Sequence, residues 1–433
     1  MFKNGYLKPL IALVLLANLA LAAVVPAEKD HQDQPMRYDN YKVYKVKIEN
    51  VEEYNQLMAL ESELQLDFWS EVHNYGESCD VMVKPDLQQK FEEILQKSMI
   101  VYEVKIQNVQ SLIDNEQPKT RSSSTSMDWE NFHTLDEIYE WLDLIVKRYP
   151  DIVTPFDIGH SYEGRLIKGI KISYKPGNKA VFIESNIHAR EWITSATITY
   201  IIDELLVPRN PGVRKIAESV DWWIIPVLNV DGFVYSHEVN RMWRKSRLPS
   251  DPTGKCIGTD LNRNFDFLWM LTGASSDPCS ETYAGPSAES DQEIKQMLQF
   301  INTTIPEDTI KIYISLHSYG QYVLSPWGHT DTEFPEHYDQ MMHVAKGYAD
   351  ALYRRYNTVF TYGSSATTLY KVSGSGKEWA YGVKGIPIPY TIELRDKGEY
   401  GFVLPPEMIL PVAKEVLDGF VGMINAAQEI NIV

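Results

Sequence analysis

Two histidines and one glutamate have the chemical types that hold a metal ion. His188 and Glu191 lie three positions apart after an apolar run, and His317 ends another such run. A lone His-x-x-Glu pair is weak evidence, because ten histidines among 59 acidic residues form such pairs by chance, and an ion pair or a buried histidine also explains one. Two imidazoles and one carboxylate nevertheless suit Zn²⁺ and leave a fourth position for water. The His-Glu-x-x-His and Gly-x-Ser-x-Gly motifs of other hydrolases do not occur.

Several arginines and one carboxylate in an apolar run form a second group of residues that could bind substrate or take part in catalysis. Segments 240–245 and 260–264 place several guanidinium groups in loops of an acidic protein. Arginine forks bind carboxylates or stabilise an oxyanion, although a surface ion pair explains any single arginine. Glu393 lies inside the apolar run 390–394. Because an isolated carboxylate is costly to bury there, Glu393 needs a partner or a role.

The elements that must position these residues alternate between strands and helices, which indicates an α/β domain. Several predicted strands are continuous apolar runs, typical of a largely parallel sheet buried on both faces. The predicted strands are 167–172, 180–184, 222–228, 310–316 and 390–394. A capping box at 134–137 starts the first predicted helix, which ends near Arg148. Since catalytic groups gather at the carboxyl ends of such strands, we expect the residues just after these runs to form the site.

The segment from about residue 30 to 117 predicts a separate small domain. Its order is strand, helix, strand, strand, helix, strand, which indicates an open sandwich of the ferredoxin-like type. The predicted elements are strand 41–48, helix 51–64, strands 66–69 and 80–83, a helix from Pro85, and strand 101–106.

A polar hinge follows this domain at 115–126. It has no large apolar residue, and Lys119 and Arg121 precede a serine run. Such a segment should be exposed and open to proteolysis. Cleavage after Arg121 or Lys119 would release the first domain as a propeptide, and a plain interdomain linker explains the composition equally well.

The first 22 residues have the pattern of a signal peptide, with lysines, a short apolar stretch and a small-residue end. A membrane anchor is the alternative, but the stretch is shorter than the roughly 20 residues that span a bilayer. We therefore expect a secreted product that is not membrane-bound. The net charge of -18 repels polyanions, which excludes nucleic acid as an expected partner.

The three cysteines allow at most one disulfide within the chain. We expect Cys256 to pair with Cys279, because both lie in one Gly-, Ser-, Asp- and Pro-rich region. Cys79 is left over, and we interpret it as a small buried hydrophobic residue. Asn302 begins an Asn-Thr-Thr glycosylation motif, whose use depends on passage through the secretory pathway.

In combination these residues resemble the zinc metallocarboxypeptidases of the pancreatic A and B type, in their proenzyme form. The resemblance covers nearly the whole chain after the signal peptide. It implies a signal peptide at 1–22, an activation propeptide at 23–121 and a catalytic domain at 122–433. The implied fold is a mixed, largely parallel eight-stranded sheet flanked by helices, preceded by a ferredoxin-like prodomain that covers the active site.

The resemblance also implies a role for each matching residue. One Zn²⁺ ion would be bound, Glu393 would take a proton from the attacking water, and Arg244 would stabilise the oxyanion. Asp260 would accept a hydrogen bond from a ligating histidine. The remaining implied roles are metal ligands for His188, Glu191 and His317, binding of the substrate's terminal carboxylate for Asn262, Arg263 and Tyr370, and the neighbouring subsite for Arg190 and Tyr319.

Specificity is where the sequence differs from the best-known relatives. The family pattern places Lys377 at the floor of the pocket for the C-terminal side chain, where A-type enzymes have an apolar residue and B-type enzymes an aspartate. A buried ammonium favours a substrate carboxylate and repels Lys or Arg, so we predict acidic C-terminal residues as substrates. Alternatively, Lys377 turns away and pairs with Glu378. That would leave an A-like pocket lined by Gly328, Ser365 and Val372.

The expected partners follow from the same resemblance. They are peptide and protein substrates, the chain's own propeptide as inhibitor, a trypsin-like activating protease and protein inhibitors. We expect a monomer that acts outside the cell, with digestion in a gut lumen as one setting. Two rivals remain, namely a peptide-binding relative without catalysis and a regulatory carboxypeptidase that trims processed peptides. The presence of all three ligands, Glu393 and Arg244 counts against the first.

Overall fold

The computed structural model describes residues 35–64, 66–70, 75–116 and 127–433. The signal peptide predicted at 1–22 and the cleavage site predicted at Arg121 or Lys119 lie outside the described residues. Within the described part of the chain, none of the helices combines the length and the apolar character that crossing a membrane requires.

The first domain is a four-stranded antiparallel sheet with the strand order β2-β3-β1-β4, covered by helices. Leu57 of one helix and Phe91 and Leu95 of another pack with Tyr44 and Val81 of the sheet to form its core. Its elements are β1 (Lys42–Ile48), α1 (Val51–Leu64), β2 (Asp67–Phe68), β3 (Glu77–Val83), α2 (Gln88–Lys97), β4 (Tyr102–Ile106) and α3 (Val109–Glu116). The predicted ferredoxin-like order is confirmed, and α3 is an addition.

Sequence reasoning missed α3 because Val109 and Ile113 are its only fully buried aliphatic residues, with Leu112 partly buried beside them. The same side also buries Gln110 and Glu116, two residues typical of a solvent-exposed face. The partners of these polar groups lie far away in sequence, so local periodicity does not reveal the helix.

The second domain contains a mixed eight-stranded sheet in the order β11-β10-β12-β9-β7-β8-β6-β5. The four central strands, β12, β9, β7 and β8, are mutually parallel, so their carboxyl ends lie at one edge. The strands are β5 (Val153–His160), β6 (Leu166–Ile172), β7 (Ala180–Ser185), β8 (Asp221–Ile225), β9 (Ile310–His317), β10 (Tyr322–Ser325), β11 (Thr361–Ser364) and β12 (Ile388–Glu393). The predicted fold class is confirmed.

Helices flank this sheet, and the longest, α12, packs against α5, α6 and α9. The predicted capping box is present at the start of α4, where Thr134 and Glu137 bond each other's backbone amides. The helices are α4 (Leu135–Arg148), α5 (Trp192–Leu206), α6 (Pro211–Ser219), α7 (Val230–Glu238), α8 (Gln292–Thr304), α9 (Tyr338–Tyr356), α10 (Ser365–Thr368), α11 (Gly376–Gly382) and α12 (Ile409–Glu429).

The cysteines have the states that the sequence suggested, and the glycosylation motif lies at the end of a helix. Cys256 and Cys279 form a disulfide, and Cys79 is a buried free thiol in the core of the first domain. Asn302 is exposed in the last turn of α8, so its side chain is open to modification, which stays a prediction.

The two domains share an apolar cluster. Trp69 and Ile113 of the first domain pack with Met242, Phe402 and Val403 of the second. The rings of Trp69 and Phe402 have centroids 5.3 Å apart. Burial of this area against the second domain stabilises the docked arrangement.

Candidate active site

The three predicted metal ligands converge at the carboxyl edge of the sheet. Strands β7 and β9 are parallel neighbours, with Ser185 opposite Leu316, so the loop after β7 lies beside the end of β9. His188 Nδ1 lies 2.8 Å from Glu191 Oε1. His317 Nδ1 lies 3.2 Å from Glu191 Oε2 and 3.2 Å from His188 Nδ1. The ends of two neighbouring strands therefore bring the three predicted ligands together.

Asn186 shapes the loop that carries two of these side chains. Its φ of 51° lies in the left-handed region, which asparagine tolerates better than most residues. Its side chain accepts a hydrogen bond from Ser195 N at 3.1 Å and donates one to Glu191 O at 3.1 Å. The loop between β7 and α5 is thus tied at both ends.

The donor set fits a divalent cation. The outward nitrogen of His188, Nε2, lies 3.0 Å from Asp260 Oδ1, and that of His317 lies 2.9 Å from Ser315 Oγ. Both Nδ1 atoms are thereby turned inward beside a carboxylate, with the three ligand atoms within 4.8 Å of one another. Burial alone would raise the pKa of Glu191, but the adjacent imidazoles outweigh it and lower that pKa. Two imidazoles and an ionised carboxylate match the ligand preference of zinc.

Glu393 ends β12, directly opposite His317 of β9 in the register of the sheet. Burial raises the pKa of this carboxyl group well above its usual range, and the nearby charge of Glu191 adds to the effect. Arg244, Lys377 and Arg263 act in the opposite direction. A carboxyl group with a raised pKa beside the metal ligands suits proton transfer near neutral pH.

Arg244 is fixed beside the metal ligands by Asp260, whose Oδ2 accepts a hydrogen bond from Nη2 at 2.8 Å. Burial would lower the pKa of the guanidinium, but Asp260 and Glu191 keep it charged. Its Nε is buried and has no hydrogen-bond partner in the described part of the chain. Arg244 therefore offers a positioned donor for negative charge.

The predicted carboxylate-binding residues form a second cluster. Asp260 accepts a hydrogen bond from Asn262 N at 2.9 Å and thereby starts a short 3₁₀ turn over 261–263. Arg263 Nη2 lies 3.2 Å from Tyr370 Oη, and Asn262 Oδ1 accepts a hydrogen bond from Gly376 N at 3.1 Å. The three side chains come from two distant segments and line one cavity with the metal ligands.

Lys377 begins the buried side of α11 and also lines that cavity. It is only 3% exposed, and its Nζ lies 3.2 Å from Ser375 Oγ. Burial lowers the pKa of the ammonium to about 8. In the described part of the chain Lys377 makes no ion pair.

Glu378, the alternative partner, has other neighbours. It accepts a hydrogen bond from Gly328 N and lies 3.6 Å from His329 Nδ1. Glu378 attracts Lys377 only at longer range. Ser365 and Val372 line the same cavity as the lysine.

The first domain closes this cavity, whose volume is about 700 Å³. Phe68, Trp69 and Asp80 of the first domain lie opposite the site residues. Asp67 pairs with Arg190, and Asp80 accepts a hydrogen bond from Tyr319 Oη at 2.9 Å. The first domain thus covers Arg190 and Tyr319, the two residues predicted for the neighbouring subsite.

Sequence reasoning missed several residues of this site. Asp67 and Asp80 carry no motif, and their partners lie in another domain. Glu281 lines the cavity beside Arg190 and Lys245, and it follows Cys279 in a segment without regular structure. Ser315 was detectable only by its position two residues before His317 on a strand, where both side chains share a face.

Comparison with known proteins agrees with the site. The model of the family described as zinc carboxypeptidase matches residues 138–419, and that of the carboxypeptidase activation peptide matches residues 44–116. The sheet, the His-Glu-His triad and these matches define a metal-dependent peptide hydrolase with an activation peptide. The chain belongs to the zinc carboxypeptidase family.

Two of the relatives described here cover nearly the whole chain. Zinc carboxypeptidase A 1 of Anopheles gambiae is 38% identical over 415 residues, covering 95% of this chain and 94% of that protein. The crystal structure of carboxypeptidase A from Helicoverpa armigera has a TM-score of 0.81 at 29% identity, covering 91% of this chain and 99% of that one. A complex of bovine thrombin-activatable fibrinolysis inhibitor with tick carboxypeptidase inhibitor has a TM-score of 0.64 at 36% identity, covering 70% and 99%.

Proposed function

We propose that this zinc carboxypeptidase is a secreted zymogen whose mature form removes acidic residues from the C-termini of peptides and proteins. Lys377 carries the substrate assignment, because its buried ammonium lines the active-site cavity without an ion-pair partner in the described part of the chain. A glutamate or aspartate side chain of the substrate would neutralise it. An apolar side chain would leave it unpaired, and a basic one would repel it.

Recognition of the chain end follows from Arg263, Tyr370 and Asn262. The guanidinium binds the terminal carboxylate with charge-assisted hydrogen bonds, and the phenol and the amide add donors. An internal peptide bond presents no carboxylate at this point. It therefore brings no negative charge to the guanidinium of Arg263, which makes the enzyme an exopeptidase.

The metal and the side chains around it would have separate roles in the reaction. His188, Glu191 and His317 would hold Zn²⁺, whose chemistry is Lewis acidity that polarises a carbonyl and lowers the pKa of water. Glu393 accepts the proton of the attacking water on its carboxylate and delivers it to the leaving amide nitrogen. Arg244 donates from its unpartnered Nε to the oxygen that becomes negative.

Activation requires removal of the first domain. Docked as observed, that domain covers Arg190 and Tyr319 and closes the cavity. Cleavage after Arg121 or Lys119 by a trypsin-like protease would separate residues 23–121 from the catalytic domain at 122–433. Protein inhibitors are expected to bind the opened cleft, since a relative forms such a complex. Secretion, with a gut lumen as one setting, fits the pattern at 1–22.

Hydrolysis of matched blocked dipeptides ending in Glu, Phe and Arg tests the proposal. We expect the trypsin-treated protein to cleave the Glu peptide fastest, to lose activity with a zinc chelator and to regain it with zinc. Untreated protein should be nearly inactive. Preference for Phe would reject the acidic pocket but keep the enzyme, and no cleavage at all would favour a peptide-binding relative. Mass determination of the secreted, activated protein locates both cleavage sites.

A further inference from the structure

A buried glutamate beneath the metal site has no part in the reaction described above. Glu184, on β7, is fully buried and does not line the active-site cavity. Its Oε1 accepts a hydrogen bond from Tyr313 Oη at 3.2 Å, and its Oε2 lacks a hydrogen-bond partner in the described part of the chain. A carboxyl group at this depth is costly, so its presence needs a physical reason.

The register of the sheet places Glu184 beside the residues that support His317. Glu184 of β7 pairs with Ser315 of the parallel strand β9, so the two side chains lie on one face of the sheet. Tyr313, Ser315 and His317 are two residues apart along β9 and share that face. The glutamate, the two hydroxyl groups and the proposed metal ligand are therefore neighbours.

The outward nitrogen of His317 needs a hydrogen-bond acceptor. When Nδ1 faces the metal, Nε2 carries the proton of the ring. Ser315 Oγ lies 2.9 Å from Nε2, and Asn262 Nδ2 lies 3.3 Å from it. The amide nitrogen of Asn262 is itself a donor, and its Oδ1 already accepts a hydrogen bond from Gly376 N. Ser315 Oγ is therefore the acceptor for His317.

The hydroxyl of Ser315 then has its own proton to donate, and Glu184 is the group that receives it. Hydrogen bonds from Ser315 and Tyr313 lower the pKa of Glu184, although burial outweighs them and raises it to about 8. Thr391 lies opposite Ser315 on β12, but its Oγ1 makes no hydrogen bond in the described residues. The chain of hydrogen bonds that starts at His317 thus ends on a buried carboxyl group.

We propose that Glu184 is a positioning residue of the metal centre, which accepts the proton of Ser315 and thereby fixes Ser315 as the acceptor for His317 Nε2. His188 contacts its supporting carboxylate, Asp260, directly, whereas His317 reaches Glu184 through one hydroxyl group. This inference rests on the proposed ligand role of His317 and does not depend on the proposed substrate preference. Partners of this kind change metal affinity about 10- to 100-fold when they are removed.

The test measures zinc affinity in the full chain, stripped of metal and titrated against a chromophoric chelator. Ser315→Ala and Glu184→Met should each weaken zinc binding about tenfold. The double variant should also lose about tenfold, because both residues act through one chain of hydrogen bonds, whereas independent effects would multiply to about 100-fold. Glu184→Gln keeps a carbonyl acceptor, so its zinc affinity should stay within about threefold of wild type.

Two control variants separate positioning from general damage to the core. Thr391→Val removes a buried hydroxyl group on the other side of Ser315. Glu204→Met removes a buried carboxyl group near the end of α5, which likewise accepts a hydrogen bond from a tyrosine, Tyr200 Oη, at 2.9 Å. Both controls should bind zinc as wild type does, and urea unfolding measures the stability of every variant.

Substitution of Co²⁺ for zinc adds a spectroscopic readout, because the visible absorption of this ion depends on the geometry of its ligands. The spectrum should change in Ser315→Ala and Glu184→Met and stay unchanged in the two controls. Ser315→Ala is the smaller change, so it keeps the test decisive if Glu184→Met does not fold.

The outcomes separate this inference from the assignments beneath it. Wild-type zinc affinity in Ser315→Ala overturns it, as does a loss of about 100-fold in the double variant. Equal losses in the controls, or a Glu184→Gln variant as weak as Glu184→Met, also overturn it. Zinc binding in His317→Ala that is as tight as in wild type would reject the ligand itself. A preference for peptides ending in Phe would reject the acidic pocket and leave this inference standing.

Discussion

At the scale of single residues, the proposed substrate preference depends on Lys377. Lys377→Gln keeps a polar side chain, although one atom shorter, and removes the charge, so the advantage of Glu over Gln at the substrate C-terminus should fall at least about tenfold. Peptides ending in Gln should be cleaved with nearly unchanged kcat/KM. Lys371→Gln is the control, because Lys371 is exposed on the same loop and pairs with Asp331 at 2.9 Å. Equal losses in both variants would contradict the pocket assignment.

The same ammonium predicts a pH dependence. Burial lowers the pKa of Lys377 to about 8, so the charged form dominates below that pH and is lost above it. The Glu-to-Gln ratio at the substrate C-terminus should therefore be constant from pH 6 to about 7 and fall as pH rises through about 8 to 9. Ratios are measured at constant ionic strength. A ratio that stays flat to about pH 10 would show that the lysine does not face the substrate.

Asp260 links the metal ligands to Arg244, the proposed oxyanion donor, since its two oxygens contact His188 Nε2 and Arg244 Nη2. Asp260→Asn should weaken zinc binding about 10- to 100-fold, because the imidazole loses the acceptor that fixes its orientation. Competition with a chromophoric chelator measures the affinity. Asp266→Asn, an exposed change in the same segment, should leave it unchanged.

At the scale of elements, α3 anchors the end of the propeptide. Glu116 Oε1 and Oε2 accept hydrogen bonds from Arg241 Nη2 and Nε, each at 2.7 Å, and both side chains are buried. Glu116→Gln leaves Arg241 buried without a counterion, at a cost of about 3 to 5 kcal/mol to the docked arrangement. The zymogen should then show more peptidase activity before cleavage. Glu103→Gln, in an exposed pair with Lys105, is the control and should show no increase.

The elements that the sequence predicts well are those whose buried residues follow one another in a continuous run. Strands β7, β9 and β12 are mainly apolar and buried along nearly their whole length because both faces are covered, and their carboxyl ends locate His188, His317 and Glu393. Strands β10 and β11, near one edge of the sheet, are only four residues long. Strand β5, at the other edge, contains Pro155 and several polar residues. Short or half-exposed strands give weak patterns, so the sequence did not reveal them.

The site was predictable only in part for a related reason. Metal ligands follow strand ends and can be located one by one, whereas Asp67 and Arg190 are 123 residues apart and meet only when two domains dock. No spacing rule connects such residues. Glu281 likewise depends on the path of an irregular loop, which no periodic pattern specifies.

At the scale of the whole molecule, docking of the propeptide should depend on pH. Burial raises the pKa of Asp80, and burial together with Asp67 raises that of Glu281. The docked form therefore binds protons more readily than the separated form, in which both groups are solvated. Docking of the propeptide is therefore favoured at low pH and disfavoured as the pH rises through the raised pKa values of Asp80 and Glu281. Once the hinge is cut, the propeptide should dissociate faster at about pH 8 than at about pH 5.

The appearance of activity after cleavage measures this release. The cleaved protein is held at each pH, and activity is sampled in one common assay buffer, so that the pH dependence of catalysis itself does not enter. Glu281→Gln should flatten the profile in part, because one of the groups that take up a proton on docking is removed. A faster release at low pH in the wild type would contradict the sign of the effect.

The disulfide divides the active site topologically. The bond between Cys256 and Cys279, with a sequence separation of 23, closes a covalent ring. Asn262 and Arg263 lie inside this ring, whereas His188, Glu191, His317 and Glu393 lie outside it. Asp260, which supports His188 and Arg244, also lies inside the ring, whereas His317 and Glu393 end strands of the sheet. Opening the ring would loosen the proposed binding of the terminal carboxylate and the support of His188, while His317 and Glu393 keep their places on the sheet.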